Sequence, residues 1–113
     1  MIVAILLFTS PVQHENSAQV LEIARALKSA GHRVRIFLLG DGVYNASAHL
    51  LSDKVETVVG EMQSEGLEMT ACTTCATYRG VDRVIKGSGL GTLEDFTEIV
   101  EGCDILLNFT SEG

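Results

Sequence analysis

Positive charge is scarce in this chain. Its 113 residues include eight Lys and Arg against fifteen Asp and Glu, a formal net charge of -7. That balance excludes direct capture of a nucleic-acid backbone, which needs an excess of Lys and Arg over the phosphates it neutralises. A protein partner with a basic surface fits better. A long apolar run is missing as well. The opening MIVAILLFTS has no positive segment before it, and the stretch from Ile2 to Phe8 falls far short of the ~20 residues that span a bilayer. It reads as a strand, so no membrane association and a cytoplasmic location are expected. Cysteine is limited to three residues. An odd number in a chain with no export signal argues against a disulfide framework, and at least one thiol should be free.

What is present is an ordinary globular composition, 46% hydrophobic and 20% charged. A chain of this length is expected to form one domain over residues 1–113 and to bury roughly two-thirds of its unfolded surface, with no need of a metal or disulfide staple. Apolar blocks alternate with helical patterns. IVAILLF (2–8), RVRIFLL (33–39), LEMTAC (67–72) and DILLNF (104–109) are short. The first and last are nearly continuous in apolar residues, as in parallel strands covered on both faces. Residues 82–86 are a fifth candidate strand.

Three helices lie between them. Asn16 with Gln19 has the form of a capping box, Ala18, Leu21, Ala24 and Leu27 make one apolar stripe, and Gly31 supplies a left-handed stop. Asp53 with Glu56 repeats the signature, with Val55, Val58, Val59 and Met62 on the buried face and Gly66 at the end. Thr92 with Asp95 opens the last, carried by Leu93, Phe96, Ile99 and Val100 and closed by Gly102. Such alternation predicts right-handed crossovers and an α/β three-layer sandwich around a mostly parallel sheet of four to five strands.

Segments 9–16, 40–45 and 72–75 all follow strands, and ligands of such sheets gather at the strands' carboxyl ends. Cys72 and Cys75 therefore sit at the edge expected to work. Their spacing supplies half of a zinc site, but the other half is missing: Cys103 precedes the last strand, at its opposite end, and of the three histidines only His14 falls in a loop at the right edge. No metal is expected. Two small buried core residues remain one reading of the pair, and a dithiol redox element another. If Thr73 or Thr74 caps a short helix starting at Cys75, either sulfur lies close to unpaired backbone N–H groups, a setting that favours thiolate. Arg79 adds positive charge nearby. The glycines at 87, 89 and 91 have GxGxG spacing, which is not that of a nucleotide loop, and suit a tight turn beside the sulfur.

GVYNA (42–46), the cysteine eight residues before Gly80 in CTTCATYRGV, and SGLG (88–91) followed by Cys103-Asp104 occur in order over nearly the whole chain. This pattern resembles the DsrE-like family, of the DsrE and TusD sulfur-relay type. The resemblance implies a compact DsrE-like α/β sandwich that assembles into trimers or hexamers. It also implies a cysteine, by position Cys72, that holds sulfane sulfur as a persulfide and exchanges it between donor and acceptor proteins without a cofactor, a role for which its thiol is expected to be reachable from solvent. Thr74, Arg79, His14, Tyr44, Ser88 and Gly89 are the supporting positions, and Cys103 is structural. Relay subunits of this type work with one cysteine here, whereas Cys75 can attack a persulfide on Cys72 and leave a disulfide. A sulfur carrier, a dithiol redox protein and a non-enzymatic oligomeric binding module are thus the three functions the sequence offers.

Overall fold

The computed structural model describes residues 1–10, 16–46, 67–81 and 88–110. Strand β1 (Ile2–Leu7) leads to helix α1 (Asn16–Ser29), strand β2 (Arg33–Leu38) and a 3-10 helix (Gly40–Ala46). Strand β3 (Glu68–Cys72), helix α2 (Thr73–Tyr78), strand β4 (Ser88–Gly91), helix α3 (Leu93–Glu101) and strand β5 (Ile105–Phe109) follow. The strands form one sheet in the order β4-β3-β2-β1-β5, with every neighbouring pair parallel.

The crossover from β1 to β2 and the one from β4 to β5 run across the sheet in opposite directions. Right-handed connections therefore place α1 and α3 on opposite faces, and the sheet becomes the middle of three layers. Phe37 of β2 meets Phe96 of α3 with ring centroids 5.1 Å apart and tilted by 47°, which fixes the face that α3 covers. Because strand side chains alternate, Val34, Ile36 and Leu38 turn to the other face together with Val3, Ile5 and Leu7, their partners in register. Phe37, Ile5, Leu7, Ile36 and Leu38 are among the largest fully buried side chains. Each contributes about 1.5–3 kcal/mol through removal from water.

The helix signals mostly hold. Gly31 has φ 91°, the left-handed conformation that ends α1, and His32 N–H donates to the Leu27 carbonyl at 3.0 Å. The helix begins at Asn16 itself, and its buried stripe uses Val20 with Leu21 and Ala24, not the exposed Ala18. Helix α3 has the full capping box: Thr92 N–H donates to Asp95 Oδ2 at 2.8 Å and Asp95 N–H to Thr92 Oγ1 at 3.3 Å. Phe96 and Ile99 face inward, whereas Leu93 is 67% exposed.

One strand expectation changes. β5 is apolar in sequence yet exposes Ile105 and Leu106, because it is an edge strand paired to β1 alone. The fifth strand is Ser88–Gly91, and residues 82–86 lie outside the described residues. So does the helix expected from Asp53 to Gly66, with Met62.

Candidate functional site

The carboxyl ends of β2 and β3 deliver two short helical segments side by side. The 3-10 helix Gly40–Ala46 follows β2 after one residue, and α2 follows β3 directly. Its glycines explain how the first packs so closely. A Cβ on Gly42 would lie 1.9 Å from the Leu7 carbonyl oxygen, so only glycine lets this segment rest on the end of β1. Gly40 has φ 53°, the left-handed turn out of the strand. Asn45 is fully buried; its Nδ2 donates to the Thr9 carbonyl at 3.1 Å and to the Gly42 carbonyl at 2.9 Å. It thereby pins the segment to the chain leaving β1.

Cys72 is the last residue of β3 and the N-cap of α2, with extended backbone (φ -62°, ψ 122°). The helix begins at Thr73, two residues earlier than a start at Cys75 would place it, and the cap is the cysteine itself, with no side-chain cap hydrogen bond. Thr73 instead donates its hydroxyl to the Gly91 carbonyl at 3.0 Å, tying α2 to the end of β4. Thr74 is exposed. The solvent-reachable thiol expected at 72 is not what the structure has: Cys72 is 3% exposed and belongs to the core cluster. Strand pleating is the cause. Two residues beyond Thr70, its side chain keeps to the face that Thr70 shares with its register partner Phe37, on which α3 packs. Cys75, one turn into α2, is half-buried, and all three cysteines are free.

Arg79 closes the site. Its Nε donates to Asp41 Oδ1 at 2.8 Å, and its Nη1 to the Cys75 carbonyl at 3.4 Å. The guanidinium is held above the ordinary arginine value, first by the Asp41 hydrogen bond. Partial burial opposes this, while the charge of Asp41 and the ionised forms of Cys75 and Tyr44 add to it. Arg79, Cys75, Tyr44 and Asp41 thus form one electrostatic neighbourhood next to Cys72.

Other expected positions fall elsewhere. Gly91, not Ser88, is the register partner of Cys72; Ser88 pairs with Met69 and Gly89 with Thr70. Three strand residues are about 10 Å, which removes Ser88 from the sulfur. Gly89 and Gly91 are in strand and not turn, and at Gly91 the reason is space, since a Cβ there would lie 2.5 Å from Thr70 Cγ2. His14 lies outside the described residues. Cys103 sits before β5, at the amino end of the sheet, where its thiol donates to the Val100 carbonyl at 3.1 Å. Asp41 as the ionic partner of Arg79 has no signal in the sequence, and Asn45 is marked there only by its place in GVYNA (42–46).

Against the outer side of α2 lies an apolar hollow of about 200 Å³ lined by Thr73, Ala76, Thr77, Gly80, Val81 and Leu90. Among the described residues no cluster of three or more His, Cys, Asp or Glu side chains could hold a metal, and no helix is long and apolar enough to cross a membrane.

Comparison with known proteins places this geometry. The model of the DsrE/DsrF-like family matches residues 1–109. An uncharacterized protein of Methanopyrus kandleri is 26% identical over 113 residues, 96% of this chain and 93% of the relative. The crystal structure of the ychN protein from E. coli superposes with a TM-score of 0.82 at 22% identity, covering 95% of this chain and 97% of that one. The protein of unknown function MTH1491 from Methanobacterium thermoautotrophicum gives 0.74 at 15% identity, again over 95% and 97%. At these identities the two structures establish a shared fold.

Proposed function

The chain belongs to the DsrE/DsrF-like family, and on that premise we propose that it is a sulfur carrier that holds a persulfide on Cys72 and passes the outer sulfur to a partner protein. The observation that carries the reading is the place of Cys72: the junction of β3 and α2, at the carboxyl edge of a parallel sheet, where such folds do their chemistry. A thiolate there takes the outer sulfur from a donor's persulfide and later presents it to an acceptor thiolate, by ordinary thiol exchange and without a cofactor.

Burial suits a carrier in one respect: a persulfide shielded from bulk solvent is kept from adventitious thiols. It also imposes a requirement. Loading needs the start of α2 to give way, and the hollow beside α2 offers a donor protein an apolar foothold there. Donor and acceptor are proteins on this reading, and the carrier works in the cytoplasm as a homo-oligomer, a trimer or a hexamer. The exposed Ile105 and Leu106 of the edge strand β5 support self-association.

The test is intact-mass analysis after incubation with a persulfide donor. In Cys75→Ser, where no second thiol competes, one added sulfur atom is expected, and it is lost when Cys72 is also replaced by Ser; a Cys75→Ser mass that stays unchanged would falsify the proposal. A non-enzymatic binding module makes the opposite forecast, that replacing both Cys72 and Cys75 leaves folding, oligomerisation and partner binding intact.

A further inference from the structure

We infer that Cys75 discharges the sulfur held on Cys72, so that the site can release sulfide as well as hand sulfur on. This rests on the carrier reading above and adds the fate of the cargo when no acceptor is docked.

Cys72 and Cys75 occupy the N-cap and third helical positions of α2, the two positions whose side chains turn towards each other in a capping box. The same molecule contains the comparison. In α3 these positions are Thr92 and Asp95, and there Thr92 Oγ1 lies 3.1 Å from Asp95 Oδ2. Both N-caps have extended backbone, Cys72 at φ -62°, ψ 122° and Thr92 at φ -92°, ψ 175°, but Cys72 makes no side-chain cap hydrogen bond, so the two sulfurs share the positions of the box without its contact. A disulfide needs Cβ atoms about 3.5–4.5 Å apart, and only the first turn of α2 separates the two residues. Pairing the sulfurs therefore needs an adjustment of the first turn of a six-residue helix, not a rearrangement of the fold.

Their exposures assign the roles. The buried Cys72 keeps the cargo, and the half-buried Cys75, with Arg79 hydrogen-bonded to its own carbonyl, meets solvent. The Cys75 thiolate, its proton given up to water, attacks Sγ of Cys72 in the persulfide. A bond forms between the two cysteine sulfurs, the bond from Cys72 Sγ to the outer sulfur breaks, and the electron pair leaves with the outer sulfur as hydrosulfide. The sulfane sulfur is reduced to sulfide while the two cysteines are oxidised to a disulfide, so the step balances without another reagent. An external dithiol then attacks the more exposed Cys75 sulfur, frees Cys72, and closes its own disulfide. This restores both thiols.

The experiment loads the full chain with a low-molecular-weight persulfide, removes the donor, and follows free sulfide and protein mass. The natural chain is expected to release one sulfide per chain and to lose two hydrogens in mass as the Cys72–Cys75 disulfide forms; a dithiol then returns it to the reduced mass. Cys75→Ser and Cys75→Ala should retain the added sulfur on Cys72 and release at least tenfold less sulfide. If the natural chain retains its persulfide as long as these variants do, the discharge is overturned and the carrier stands. If no variant acquires sulfur at all, both fall.

Discussion

Arg79 and Asp41, 38 positions apart in sequence, meet at 2.8 Å and join the two segments that leave β2 and β3. The pair is partly exposed, with side-chain exposures of 30% and 57%, so its value to stability is small. Asp41→Asn is expected to cost no more than about 1 kcal/mol, read from chemical denaturation, and the loss should shrink in high salt. Arg79 is held above its ordinary value, so its favourable contribution is present below the unfolded-state value and is lost only as pH rises into strong alkali. Between pH 5 and 9 the effect of Arg79→Gln on stability should therefore not vary through arginine ionisation. A slope in that range would assign the pairing to some other group.

Gly42 has no room for a side chain. With a Cβ placed 1.9 Å from the Leu7 carbonyl oxygen, Gly42→Ala must push the 3-10 helix away from β1. A loss of about 2 kcal/mol or more is expected, together with slower sulfur loading. A denaturation midpoint equal to the natural chain's would show that the close approach is not needed.

Asn45 tests the same contact through polarity. Replacing it by Leu strips two backbone carbonyls, those of Thr9 and Gly42, of a buried donor. Each lost partner costs about 1–3 kcal/mol when the group stays buried. Denaturation of Asn45→Leu checks this, and a loss below 1 kcal/mol would mean that water reaches those carbonyls.

The three thiols should react in an order set by burial. Cys75 and Cys103 are half-buried and Cys72 is buried. Brief alkylation of the native chain followed by peptide mass mapping should label Cys75 at least tenfold faster than Cys72, and denaturant should erase the difference. Equal labelling of 72 and 75 in the native chain would mean that the start of α2 opens readily.

Much of the scaffold was legible because it is written in local patterns. The continuous apolar run of β1, the Thr92–Asp95 box and the left-handed Gly31 each depend on neighbours within a few residues. The site was less so. Burial of Cys72 depends on which sheet face its strand position meets and on the helix that packs there, and the Phe37–Phe96 contact joins elements far apart in sequence. The Asp41–Arg79 pair is long-range in the same sense. The start of α2 was misplaced because its cap is a cysteine, a residue absent from the usual capping set. Strand order, which puts Gly91 and not Ser88 beside Cys72, has no local signature.

The central claim is that position 72 takes up sulfur. Cys75→Ser, in which no resolving thiol competes, is treated with a persulfide donor and digested without reductant for mass mapping. The account predicts one extra sulfur atom on the peptide containing Cys72 and none on that containing Cys103. Sulfur found only at Cys103, or nowhere, would contradict it.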